Sequence, residues 1–305
     1  MPNIPTVRQD TLLTNISLQW GPTGHLANIV VPPVSVRLED GSYITYGKEK
    51  FNIPEAQRRP RSRYKEIDWT LSRDQYHAEE YGLEGRIDDR ERANQASPLD
   101  IDETTTEILT DNILNVRERR VANMVLSTTN VTQNTTLAGA AQWSDASGGD
   151  PVGVSQTASD TIQGATGFIP NVAVMGYKVR RKLGNNAKIL AMLGTTEPRP
   201  INDARIAEIL GVDRLIIGTV LYNTAKAGQT AVLGDVWGKD VLFAYLQPRP
   251  ALRRPGFAYQ FVVQDLRVFR WRDVPVNCDV LRVNEIRAEK IVASQLAYLV
   301  KNAIA

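Results

Sequence analysis

An α+β fold is what this sequence predicts, and three observations carry that expectation. Residues 97–126 open with complete helix-start chemistry and keep helical spacing, residues 150–221 alternate helix-like and strand-like patterns, and flanking segments show the period-two alternation of half-buried strands. The 305 residues suffice for about two domains and an ample core. With 42% apolar and 23% charged residues, global disorder and a fibrous repeat are both excluded.

Residues 1–33 read as an extended arm, punctuated by Pro2, Pro5, Pro22, Pro32 and Pro33, that needs something to lie against. Alternation through Val34, Val36 and Leu38, then Asp40-Gly41, then Tyr43, Ile44 and Tyr46 predicts a β-hairpin turning at Asp-Gly. Lys48 to Lys65 is highly charged and poor in core residues, which suits a long protruding loop. Tyr81, Leu83 and Ile87 alternate with polar residues as a half-buried strand does. The helix 97–126 follows, with Ser97 as N-cap, Pro98 at the first helical position and Asp100, Asp102 and Glu103 where the dipole favours negative charge. Its apolar positions include Ile101, Ile108, Leu109, Ile113, Val116, Val121 and Val125. Between Arg120 and Lys178 there is no Lys or Arg, a shift that marks a boundary. Asp150-Pro151 opens a second helix ending near Gly164 and Gly167; a strand at 172–175, helical sequence around 177–193, a helix at 203–210 and a strand at 215–221 complete a small α/β unit. Strand alternation resumes at Phe257, Tyr259, Phe261 and Val263, and the apolar density of 286–304 leaves helix and strand both open there.

Chemistry is excluded step by step. Thirty-six Lys and Arg against 34 Asp and Glu give +2, too balanced to condense nucleic acid by bulk charge. One cysteine, Cys278, forms no intrachain disulfide, and with His25 and His77 the only histidines, multi-histidine or cysteine metal sites lose their ligands. No cofactor and no metal is expected. Gly234-Asp235-Val236-Trp237-Gly238-Lys239 has three residues between its glycines where a phosphate loop has four, and Asp240 in place of the magnesium-binding hydroxyl, so it reads as a turn into a strand at 241–246. His77-Ala78-Glu79 lacks the two thiolates of a zinc deaminase, and Cys278 reads as core packing. Asp88, Asp89 and Glu91 interleave with Arg86, Arg90 and Arg92 as a solvated ion-pair strip. Met1 to Pro5 lacks signal-peptide order and no apolar run approaches ~18 residues, so a soluble protein, off the membrane and inside the cell that makes it, is expected. Arm, charged loop, long helix, α/β insert and returning β together suit assembly, not catalysis.

Across nearly its whole length the sequence resembles the major capsid (coat) protein of tailed bacteriophages, the lambda-like group with the Hong Kong-type capsid fold. The resemblance lies in an ordered series: Tyr81-Gly82-Leu83-Glu84 leading to Ser97-Pro98, Arg117-Glu118-Arg119-Arg120-Val121-Ala122, Gln142-Trp143-Ser144-Asp145 before Asp150-Pro151, Pro170 to Gly176, Ile209-Leu210-Gly211-Val212 with Tyr222-Asn223, and Trp237-Gly238-Lys239. It implies an N-terminal arm at 1–30, an E-loop at 31–74, a P-domain at 75–167 with spine helix 97–126, an A-domain at 168–255 and completion of the P-domain by 256–305. It further implies pentamers and hexamers in an icosahedral head enclosing double-stranded DNA without sequence-specific binding, a portal, and in some relatives a decoration protein. Members that begin with a long helical scaffolding domain differ from this sequence, where only the arm precedes the E-loop, so a separate scaffolding protein is expected. An encapsulin-like nanocompartment shares the fold and is the alternative; a nucleotide-binding enzyme is the reading from another class.

The family's E-loop overlaps a neighbouring subunit, which directs attention to Arg58, Arg59, Arg61, Arg63 and Lys65. These lie close together with few balancing acids and repel unless a partner supplies carboxylates or phosphates. Protein contact is favoured over DNA contact, with the neighbour's Glu79, Glu80 and Glu84, or Asp88 and Asp89, as receivers.

Overall fold

The computed structural model describes residues 8–9, 13–14, 24–46, 53, 56–58, 60–61, 63–64, 66, 71–94, 100–145, 148–193, 202–226 and 228–305. From the N-terminal segment come a short strand β1 (Arg8–Gln9), a single helical turn α1 (Ala27–Val30) and β2 (Pro33–Ser35). β3 (Asp40–Tyr46) pairs antiparallel with β4 (Leu71–His77), and β5 (Glu79–Asp88) leads through the short helix α2 (Asp89–Ala93) to the long helix α3 (Ile101–Val125). Next are β6 (Asn134–Thr136), α4 (Pro151–Thr166), β7 (Val172–Gly176), α5 (Tyr177–Leu183), α6 (Ala187–Leu193), α7 (Asp203–Ile209) and β8 (Arg214–Gly218). The chain closes with a small hairpin of β9 (Leu221–Asn223) and β10 (Leu233–Asp235), then β11 (Val241–Ala244), β12 (Ala258–Asp273), β13 (Cys278–Ile291) and β14 (Ala297–Lys301).

Two five-stranded sheets organise these elements. The first runs β1-β12-β13-β5, with β2 added parallel to β12; the second runs β6-β14-β11-β7-β8. The long β12/β13 ribbon turns at Val274–Val276, where Asn277 takes a left-handed φ of 53°. Register shifts around Gln264 bend it, as bulges do. In the second sheet Val172 and Val174 face one core while Ala173 and Met175 face the other. Burial on both faces is why that strand reads as an unbroken apolar run.

Helix α3 joins the two halves. Its first half buries Leu109 and Ile113 against Ile87, Val268, Leu281 and Val283 of the first sheet. Its second half places Val121, Ala122 and Val125 among Val174, Leu242 and Leu299 of the second, together with Leu26 and Val30 beside α1. At 1.5 Å per residue its 25 residues span ~37 Å. Gly85 permits the approach: a Cβ there would lie 2.7 Å from Thr105 Cγ2 and 3.3 Å from Leu109 Cδ1.

Four expectations are corrected. The helix begins at Ile101, with the Asp100 side chain accepting from Asp102 N at 2.9 Å as the N-cap; Ser97 and Pro98 lie outside the described residues. Asp40-Gly41 does not turn a hairpin, because β2 pairs with β12 and both residues begin β3, whose partner is β4. Gly41 lacks the positive φ such a turn demands. What it provides is room, since a Cβ there would stand 2.4 Å from the Tyr76 hydroxyl. The carboxylates at 88–91 are not a strip paired among themselves: Asp88 and Glu91 form the capping box of α2, and Asp89 pairs with Arg272. The sequence 215–221 does not form one strand, because β8 ends at Gly218 and β9 starts at Leu221. The ambiguous C-terminal stretch is β, comprising the end of β13 and all of β14. Among the described residues no helix is long and apolar enough to cross a membrane.

Candidate inter-subunit surface

The loop between β3 and β4 springs from a root that is firmly held. Tyr43 and Tyr76 stack on Phe261 of β12, with ring centroids 5.3 and 4.3 Å apart. Tyr43 donates to Asp74 at 2.6 Å and Tyr76 donates to the Leu38 carbonyl at 3.3 Å. Burial first, then the Asp74 hydrogen bond, push the Tyr43 hydroxyl well above its usual range. His77 faces Asp40 at the mouth of the hairpin, and that hydrogen bond raises the imidazole pKa.

Beyond the root, the described loop residues stand in solvent. Ile53 is 97% exposed and Tyr64 77% exposed, and Arg58, Arg61 and Arg63 are all exposed. The Arg58 guanidinium lies 4.6 Å from the Tyr64 ring centroid. None of these three arginines makes an ion pair among the described residues; Arg59 and Lys65 lie outside them.

The acidic residues separate into two groups. Glu84 accepts from Arg282 Nε at 2.8 Å, Asp89 is held by Arg272, and Asp88 accepts from Arg90 N at 2.8 Å as a helix cap. The Arg272 hydrogen bond lowers the Asp89 pKa. Glu79 accepts from the Tyr81 hydroxyl at 2.7 Å and Glu80 from Asn284, so among the described residues these two have neutral partners and no cation. All five lie on or just beyond β5, the edge strand of the first sheet, where charge discourages indiscriminate strand pairing.

Behind this surface lie ionic contacts that sequence patterning did not reveal. Glu118, fully buried in α3, accepts from Leu26 N at 2.9 Å, Ala27 N at 2.7 Å and Trp237 Nε1 at 2.5 Å, fastening arm, helix and second sheet together. Arg117 and Arg287 both pair with buried Glu285. Asp279 gathers Arg92, Arg270 and Arg272, and Asp102 of α3 receives Arg92 and Arg270 as well. Burial works to raise the Asp279 carboxyl, but these hydrogen bonds overcome it and hold the pKa down at about 2.

No family model matches the chain. The major capsid protein of Burkholderia phage BcepMu is 24% identical, with 95% of each chain covered, and that of Pseudomonas phage JBD67 is 25% identical, with 97% of each covered. A phage-related protein from Bordetella bronchiseptica RB50 superposes with a TM-score of 0.77 at 21% identity, over 97% of each chain. The mature capsid of bacteriophage PhiM1 gives 0.57 at 12% identity over 89% of this chain and 85% of that one. A virus-like particle from Pyrococcus furiosus gives 0.58 at 12% identity over 95% and 98%. The fold is therefore the α+β Hong Kong-type capsid fold that the sequence resemblance implied. Within that class, the chain is similar along nearly its entire length to two phage major capsid proteins.

Proposed function

We propose that this chain is the structural major capsid protein of a tailed phage, the repeated subunit of an icosahedral head. The observation that carries this reading is the nearly full-length similarity to two phage major capsid proteins on a capsid fold. The role is structural, and its chemistry is that of surfaces fitting together. In this reading 1–30 is the arm, 31–74 the E-loop, 75–167 with 256–305 the P-domain, and 168–255 the A-domain, although the second sheet also recruits β6 and β14 from outside that last segment. Pentamers and hexamers form around the A-domains. The shell encloses double-stranded DNA, and a separate scaffolding protein and a portal take part in its assembly in the host cytoplasm.

Arg58, Arg59, Arg61, Arg63 and Lys65 act between subunits in this reading, because like charges so placed gain by meeting a partner's carboxylates. Glu79 and Glu80, which pair with no cation among the described residues, are the receivers in this reading. Exposed pairs are each worth ~0–1 kcal/mol, but a shell repeats every contact many times. Replacing Arg58, Arg59, Arg61 and Arg63 by Gln is expected to leave circular dichroism unchanged and to lower shell yield; unchanged shells of unchanged thermal stability contradict an inter-subunit role.

The fold serves shells of more than one kind, since a virus-like particle superposes as well as the PhiM1 capsid. The curated relatives favour the phage reading. Nuclease-protected DNA of uniform length inside particles from lysed producing cells is the expected result; particles holding only protein cargo contradict it.

A further inference from the structure

The loop between β11 and β12 concentrates positive charge in a chain whose total is nearly balanced. No Asp or Glu lies between Asp240 and Asp265, and that stretch carries Arg249, Arg253 and Arg254, all three exposed. Arg214 stands exposed at the same end of the second sheet: it begins β8 opposite Val172 of β7, and Val172 also pairs with Ala244, the last residue of β11. Arg214, Arg249 and Arg254 make no ion pair among the described residues. The one acid adjacent to them in the chain is Asp213.

The loop is held in shape at several points. At its start the Asn171 side chain grips Leu246, donating to its carbonyl and accepting from its amide at 2.8 Å each. The Asn171 carbonyl accepts from Arg214 N at 3.3 Å, so one residue ties Arg214 to the loop root. At the other end Phe257 is fully buried and its amide donates to the Tyr245 carbonyl at 3.3 Å. Between these anchors Arg254 N donates to the Ala251 carbonyl at 3.0 Å, and the Tyr259 hydroxyl donates to the Arg254 carbonyl at 2.9 Å. Pro248, Pro250 and Pro255 each fix φ. Guanidinium groups on a backbone fixed in this way meet an anion at a lower ordering cost than the same groups on a free segment.

What the loop lacks points to the class of anion. Packed protein interfaces centre on aromatic or aliphatic anchors, and the loop 247–256 offers one large apolar side chain, Leu252, only 39% exposed. Its cations are all arginines, whose planar fork matches phosphate oxygens. A chain of net charge +2 has little bulk attraction for a polyanion, so contact with one must be local. We propose that the loop 247–256 and Arg214 form a sequence-independent contact for the phosphodiester backbone of double-stranded DNA on the inner wall of the shell. This rests on the shell-subunit reading, in which DNA is enclosed, and assigns the residues that touch it.

The test is the salt dependence of binding a short fluorescein-labelled DNA duplex of arbitrary sequence to the full-length chain. Fluorescence anisotropy reads it between about 50 and about 200 mM salt, at protein concentrations below those at which sedimentation detects assembly. Each phosphate contact adds about 0.9 to the slope of log affinity against log salt. Arg214→Gln, Arg249→Gln and Arg254→Gln combined are expected to keep their circular dichroism, lower that slope by about 2–3 and weaken binding at the low-salt end by about tenfold or more. Arg181→Gln, Lys182→Gln and Lys226→Gln combined remove the same charge from exposed positions elsewhere and are expected to change the slope by less than about 1. Equal losses in the two triples, or a wild-type slope in the first, overturn the proposal. So does a first triple that binds DNA as wild type does yet assembles poorly, which assigns the loop to a protein partner. Should that triple fail to fold, Arg249→Gln alone supplies the reading: a slope lower by about 1 is expected, and an unchanged slope overturns the contact. Wild type that never assembles defeats the shell reading itself; wild-type shells with an unchanged slope in the triple defeat only the DNA contact.

Discussion

At Glu118 one buried carboxylate accepts from two backbone amides and an indole. Glu118→Ala strands three donors away from water, each at a cost of about 1–3 kcal/mol, so a loss of at least about 3 kcal/mol is expected in urea unfolding of the subunit. A loss within 1 kcal/mol, about what an exposed site gives, contradicts the assigned role. Asp279 makes a pH-dependent contribution instead. Its folded pKa of about 2 lies below the ordinary 3.8, so its stabilisation is complete above that ordinary value and disappears as pH falls from there toward 2. Asp279→Asn is therefore expected to lower the unfolding midpoint at pH 6 and to match wild type at pH 2; equal gaps at both values contradict the network. Neither residue was recognisable beforehand, since each depends on partners from distant elements: Trp237 stands 119 positions from Glu118, and Arg92 187 from Asp279.

Among elements, α3 was legible because local chemistry specifies it: an acidic first turn, apolar spacing and arginines near its end. Its start was misplaced by a few residues because Ser97-Pro98 and Asp100 offer competing caps, and the structure uses Asp100. Asp100→Ala is accordingly expected to cost about 1 kcal/mol. Ile113→Pro, in a buried turn between two cores, removes a hydrogen bond, costs about 3 kcal/mol or more and is expected to abolish soluble assembly. Equal particle yields from Ile113→Pro and wild type contradict the helix. The β3/β4 hairpin shows the opposite case. Asp-Gly is a strong local turn signal, but Tyr43 and Tyr76 recruit Phe261, more than 180 residues away, and that long-range stacking decides the pairing. The basic cluster is legible in the sequence, whereas only the structure shows that Glu84 and Asp89 already hold arginines of their own chain.

For the whole molecule, the chain by itself leaves groups unmatched among the described residues: Arg58, Arg61 and Arg63 without an ion pair, Ile108 and Val116 exposed on α3, and a sheet edge guarded by charge. The proposed shell role would match such groups by repeating the chain around symmetry axes. Sedimentation velocity of the purified chain over a wide range of concentration and salt tests this most directly. Fast-sedimenting capsomers and closed shells are the expected result, weakening as salt screens the charged contacts. A single monomeric boundary under every condition, from protein that circular dichroism shows to be folded, contradicts it.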